Sequence, residues 1–236
     1  GTANVAVGAY SLDANTTGDY NTAIGNNALG ANTTADDNTA VGYLALAANT
    51  TGTRNTAVGA YALDAQTTSV NNTAVGWAAL TANTTGVDNT AVGREALQYN
   101  TTGYHNTAIG QEACKSNTTG FFNIGLGHET LKMNETASFN VAIGNEAMKV
   151  STTSERCVAI GAYAMDAATT ANWSVAIGYE ALTNQTTGNY NTAIGYQALE
   201  DLTTAVDCVA VGLRALEENN ANDLVAIGNY ALEENT

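Results

Sequence analysis

The chain has 236 residues, with 23 Gly, no Pro, 12% charged side chains and a formal net charge of −15. That charge argues against nucleic acid or an anionic membrane surface as a partner, because both select basic patches. No apolar stretch approaches the ~18 residues of a membrane-spanning helix, so membrane insertion is not expected.

From Asn4 onward the pattern N-T-A-V-G-x-x-A-L-x-x-N-T-T-G-x-x recurs every 17 residues. Units start at residues 4, 21, 38, 55, 72, 89, 106, 123, 140, 157, 174, 191, 208 and 224, the last two being shorter. The 17 places of a unit are called columns below. Column 5 is Gly throughout, from Gly8 to Gly228, and column 4 is always aliphatic, as at Val7, Ile24 and Leu126. Column 3 is Ala except at Gly125, column 8 is Ala except at Ser11 and Thr130, and column 9 is Leu except at Cys114, Met148 and Met165. Column 14 is Thr in each of the first twelve units.

In each unit the first element is a short strand over columns 1 to 5, such as Asn38-Thr39-Ala40-Val41-Gly42, where branched and small residues alternate with a period of two. Columns 6 to 10, carrying Ala and Leu, are predicted to form a second short strand. Asn-Thr-Thr-Gly at columns 12 to 15 is turn chemistry, since Asn and Gly tolerate left-handed backbone and Thr hydroxyls bond locally. A glycine and a turn in every unit leave no room for a helix of even three turns. One such unit cannot bury an apolar face alone, so neighbours must stack and pair their strands in parallel. The expectation is an all-β chain: one parallel β-solenoid domain over 1–236, with about fourteen coils of 17 residues.

If two sheets face one another ~10 Å apart, bulky residues must fill the gap. That places column 4 (Val41, Val58, Val75, Val92) and column 9 (Leu46, Leu63, Leu80, Leu97) inside, with Thr or Val of column 2 beside them, and Ala and Gly of columns 3, 5 and 8 forming an outer strip where another backbone can approach. The opposite orientation, with the bulky residues of columns 4 and 9 outward, makes self-association compulsory.

The strand motif recurs as VAVG, TAIG, TAVG and VAIG, preceded by Asn and followed by x-x-A-L. It resembles the head repeats of YadA-like trimeric autotransporter adhesins, and the longer form with N-T-T-G is similar to repeats of phage tail fibres. The resemblance spans the whole chain. It implies a left-handed β-roll, usually a homotrimer, that serves as spacer or adhesive head. The 17-residue period is longer than the adhesin-head period, which puts the carry-over of the trimer contact in doubt.

Residues that could carry chemistry are few. Cys157 and Cys208 share column 1 but lie three coils apart, ~14 Å at ~4.8 Å per coil, beyond the ~7 Å reach of a disulfide. Cys114 stands in the Leu column as a small apolar residue. Glu95, Glu112, Glu129 and Glu146 fill column 7 in four successive coils, a repulsive ladder unless lysines at column 10 (Lys115, Lys132, Lys149) or a bound cation lie between the carboxylates. His105 and His128 have no Cys or His partner at metal-ligand spacing. The acidic pairs Glu200-Asp201, Glu217-Glu218 and Glu233-Glu234 sit on an expected solvated edge with no pocket, which disfavours glycosidase chemistry. Neither a catalytic residue nor a cofactor is indicated.

Asn15, Asn32, Asn49, Asn83, Asn100, Asn117 and Asn134 head N-x-T triplets at column 12, so a glycosylating host would place a row of glycans on one edge. Plain turn chemistry explains the same residues. Asn71, Asn172 and Asn184 add further acceptor triplets. Threonine columns raise ice binding as a distant reading, weakened because the paired Thr lie in a turn and only half the units have Thr at column 2. Aromatic residues gather at columns 16 and 17 (Tyr20, Tyr104, Phe121, Phe122, Phe139, Trp173, Tyr190) and at 6 or 7 (Tyr43, Trp77, Tyr163, Tyr179, Tyr196), where rings grip sugars or proteins, or cover neighbouring coils.

The functional expectation is a non-enzymatic rod segment of an extracellular or virion fibre or adhesin, associating with copies of itself as a homotrimer or filament. The alternative is an adhesive module that binds surface glycans, a host receptor or a cation.

Overall fold

A computed structural model describes residues 1–234. The described residues contain fourteen three-residue strands and no helix, so none is long and apolar enough to cross a membrane. The strands are parallel and follow one another at one per repeat, which makes the chain a β-solenoid with coils of about 17 residues. Two compact units divide it, Gly1–Phe121 and Phe122–Thr236. The first carries β1 (Val5–Val7), β2 (Thr22–Ile24), β3 (Thr39–Val41), β4 (Thr56–Val58), β5 (Thr73–Val75), β6 (Thr90–Val92) and β7 (Thr107–Ile109). The second carries β8 (Ile124–Leu126), β9 (Val141–Ile143), β10 (Val158–Ile160), β11 (Val175–Ile177), β12 (Thr192–Ile194), β13 (Val209–Val211) and β14 (Val225–Ile227). Within each unit the pairing is in strict column register, as in Ala40 opposite Ala57 and Ala159 opposite Ala176.

The strand expected over columns 6 to 10 is absent. Three overlapping turns replace it, closed in the third coil by Ala45 N–H to Gly42 O, Ala47 N–H to Leu44 O and Asn49 N–H to Leu46 O. Leu44 and Leu46 hold φ of 58° and 51°, and the same left-handed backbone recurs at columns 7, 9 and 17 of the other coils. A left-handed non-glycine residue costs roughly 1–2 kcal/mol. What offsets that cost is the stacking: Leu46 N–H reaches Ala62 O of the following coil and Leu44 N–H reaches Asn26 O of the preceding one. The kinked path also explains why Ala45 and Leu46, adjacent in sequence, are both wholly buried. Successive residues of a strand would face opposite ways.

Column 5 shows the tightest constraint. Gly161 holds φ at 139°, and a Cβ there would collide with the carbonyl of Gly178 one coil on. No other residue suits that place.

The interior is narrower than two facing sheets would require, and this reverses half of the expected core. Ala40, Ala57, Ala74 and Ala91 of column 3 are 0% exposed, as are Ala45, Ala62, Ala79 and Ala96 of column 8 and Leu46, Leu63, Leu80 and Leu97 of column 9. Val41, Val75 and Val92 are half-buried and Val58 is 37% exposed, so column 4 is not core. With a single strand per coil there is no second sheet ~10 Å away to be reached. Ala of the strand meets Ala and Leu of the turns directly. Columns 2 and 4 share the opposite, outer strand face, so column 2 does not join the core as expected, and the expected outer strip of Ala is inside.

Candidate functional site

Two asparagine columns brace the coil from within. In the second coil, Asn21 Nδ2 donates to Ala35 O at 2.7 Å and Asn32 Nδ2 donates to the same oxygen at 3.1 Å. Asn21 Oδ1 accepts Asn38 N–H of the next coil at 3.0 Å, while Asn32 Nδ2 also reaches Asn15 Oδ1 of the preceding one at 3.0 Å. The arrangement repeats at Asn83, Asn100 and Asn117, whose amides run head to tail at 2.9 and 2.8 Å. Asn32, Asn49, Asn83, Asn100, Asn117 and Asn134 are all 0% exposed, and Asn15 is half-buried. The glycan row expected at column 12 is therefore incompatible with the folded chain: the Nδ2 that would carry a sugar is inside and already bonded. Composition identified a turn, but not that the turn's asparagines point inward. Of the remaining acceptor triplets, Asn71 and Asn184 lie on the surface, bonded to Asp88 and Asp201 of the next coil.

Column-1 cysteines take over the asparagine's place. Cys157 Sγ points at Ala171 O and Cys208 Sγ at Ala221 O, as an amide would. All three cysteines are buried and free. Burial pushes the Cys114 thiol up to about 12 and the Cys157 thiol to about 11, which removes thiolate reactivity.

The glutamate ladder is filled by protein cations. In the first unit, Lys115 Nζ lies 2.6 Å from Glu95 and 3.5 Å from Glu112, and Arg94 bridges the same two carboxylates at 3.5 and 3.2 Å. In the second, Lys149 Nζ lies 2.8 Å from Glu129 and 2.9 Å from Glu146, with Lys132 at 2.8 Å from Glu129. The hydrogen bonds from Lys132 and Lys149 hold the Glu129 carboxyl down at about 2. Among the described residues, only His128, Glu129 and Glu146 come close enough together to suggest a metal cluster. The two lysines already supply its positive charge. His128 Nδ1 faces Asn145 Oδ1 at 3.2 Å, and His105 lies 3.9 Å from Asp88.

The column-17 aromatics of the second unit stack on themselves. Phe139 lies 5.5 Å from Phe122 and 5.3 Å from the Arg156 guanidinium, which also sits 5.6 Å from Trp173, itself 5.2 Å from Tyr190. Each inner ring is thus covered by the coil before and the coil after, leaving its edge to solvent. Stacking a sugar needs a ring face, so this column reads as cover for neighbouring coils. Of the column 6 and 7 rings, Tyr43 meets Tyr61 edge to face at 5.3 Å and Tyr61 meets Trp77 at 6.5 Å, while Tyr179 stacks on Tyr196 at 5.4 Å.

No family model and no curated protein matches this chain.

The surface that remains is the outer strand face. Columns 2 and 4 hold Thr, Val, Ile and Leu and not one charged residue. Their aliphatic side chains stand in solvent, with Ile24 40%, Ile109 41% and Ile194 38% exposed. In the first unit, six consecutive coils present Thr beside Val or Ile, from Thr22 to Ile109. The sequence alternative turns columns 4 and 9 outward together, whereas column 4 alone is outside and column 9 is core.

Proposed function

We propose that this chain is a structural shaft segment of an extracellular or virion fibre or adhesin, and that it associates laterally with copies of itself through the outer strand face. One observation carries the reading: each unit exposes an uninterrupted aliphatic and threonine strip, free of charge, on a chain whose net charge is −15. Apolar side chains repeated in register along a surface favour burial against a partner. The partner must match a pitch of one strand per coil, ~4.8 Å, and a second copy does so coil by coil. Elsewhere two such chains repel, so the uncharged strip is where they can approach. Its role is then reach, rigidity and display rather than catalysis.

Sedimentation velocity over a concentration series tests this. The chain should sediment as an oligomer at micromolar concentration, and a double variant Val58→Lys and Val92→Lys should sediment as a folded monomer. A wild-type chain that stays monomeric would overturn the reading.

A further inference from the structure

The columns that hardly vary have a structural reason, with one exception. Columns 3, 8 and 9 are buried, column 5 is fixed by its backbone, and columns 1 and 12 carry the amide ladders. The column-13 hydroxyls donate along the solenoid, as in Thr33 to Thr50 O at 3.1 Å and Thr101 to Thr118 O at 2.9 Å. Column 14 is different. Thr17, Thr34, Thr51, Thr68, Thr85, Thr102 and Thr119 in the first unit, and Thr136, Thr153, Thr170, Thr187 and Thr204 in the second, are all exposed. Their hydroxyls make no hydrogen bond among the described residues, although Thr17 and Thr34 bond through their backbone N–H groups. Val or Ile would satisfy the branched backbone preference, and Ser or Asn the polarity. Neither substitution occurs in twelve coils, while the exposed places of column 17 range from Asp37 to Arg54 and Phe122. Along the chain the exposed places of column 17 vary and the column-14 hydroxyl does not.

We propose that the column-14 threonines are acceptors for O-linked glycosylation. In the reaction, Thr Oγ1 attacks the anomeric carbon of a nucleoside-diphosphate sugar. The bond from that carbon to the phosphate oxygen breaks, the nucleoside diphosphate leaves with the electron pair, and the hydroxyl proton passes to a base of the glycosyltransferase. The exposed turn supplies what such an enzyme requires, an unengaged hydroxyl followed at column 15 by a small residue. Charge selects a neutral sugar over phosphate. Each phosphate adds about −1.5 to −2, and a file of them at ~4.8 Å pitch would face steep mutual repulsion on a chain already at −15. The inward asparagines of column 12 leave the hydroxyl as the acceptor in these N-T-T turns.

The test is an intact-mass measurement of the full chain isolated from the cells that make it, followed by fragmentation to place any added mass. The mass should exceed that of the sequence by whole sugar residues, all located at column 14. A triple variant Thr34→Val, Thr51→Val and Thr68→Val, isosteric at exposed places, should fold normally and lose sugar from those three coils alone. A mass equal to the sequence, increments of phosphate, or sugars on other residues would overturn the proposal. Because the readout is covalent mass, its failure is separable from failure of self-association.

Discussion

Asn21 and Asn32, at opposite ends of one repeat, donate their side-chain amides to a single carbonyl oxygen, that of Ala35, at 2.7 and 3.1 Å. This shared acceptor closes the coil: it ties the residue before the strand to the turn that follows the leucine. The same amides continue into the adjacent coils, so one contact serves both the shape of a coil and its stacking.

Removing a ladder amide should therefore be costly where the site looks like an ordinary turn. Asn32→Ala deletes the bonds to Ala35 O and Asn15 Oδ1 and should destabilise by about 1–3 kcal/mol. The converse holds at Gln66, whose longer amide bonds to Ser69 and leaves the buried Asn49 Oδ1 without a donor. Gln66→Asn should stabilise by about 1 kcal/mol. Chemical denaturation of both variants, compared by midpoint at constant slope, checks the pair.

The inside and outside of the strand can be told apart by truncation. Leu80 is fully buried and Val75 lies on the outer face. Leu80→Ala should cost about 2–5 kcal/mol. Val75→Ala, measured on dilute protein, should cost well under half as much. Equal losses would mean that the strand faces the other way.

Much of this was legible in the sequence, because the repeat is a physical period. Column 5 had to be a place where only glycine fits, and column 9 had to be core, as Leu46 and Leu80 are. Column 4 was misplaced because the expected second strand implied a wide interior for Val41 and Val75 to fill. That strand does not exist. The left-handed residues that abolish it are Leu44, Leu46, Glu95 and Tyr61 rather than Gly or Asn, so they carry no local signal. The useful signal was the nearly constant pair of adjacent apolar columns, Ala45-Leu46, which no strand could bury together. The asparagines were read by composition as surface turn residues, and composition is silent on which way a turn side chain points.

Acid should weaken the lysine–glutamate ladder. The folded-state pKa of Glu129 is depressed to about 2 from an ordinary 4.5, so its contribution is fully present above about pH 4.5 and is lost as pH falls towards 2. Thermal melts across that window should show stability declining with acidification, and Glu129→Gln should flatten the decline. A wild-type curve that is already flat there would contradict the ion-pair account.

The thiols should be silent until the chain unfolds. With Cys114, Cys157 and Cys208 buried, a thiol reagent at mildly alkaline pH should find none in the native protein and all three in denaturant. Rapid native labelling of Cys114 would contradict the packing of column 9.

That silence makes a single introduced cysteine a clean reporter of the outer face, and it gives the most direct test of self-association. With Val75→Cys, the alkylation rate by a water-soluble maleimide should be fast in dilute solution and fall as protein concentration rises. Tyr99→Cys, off the strand face and 50% exposed in the parent residue, should label at a constant rate. A labelling rate for the Val75→Cys variant that does not change with concentration, or that is as slow as the native thiols, would contradict the account.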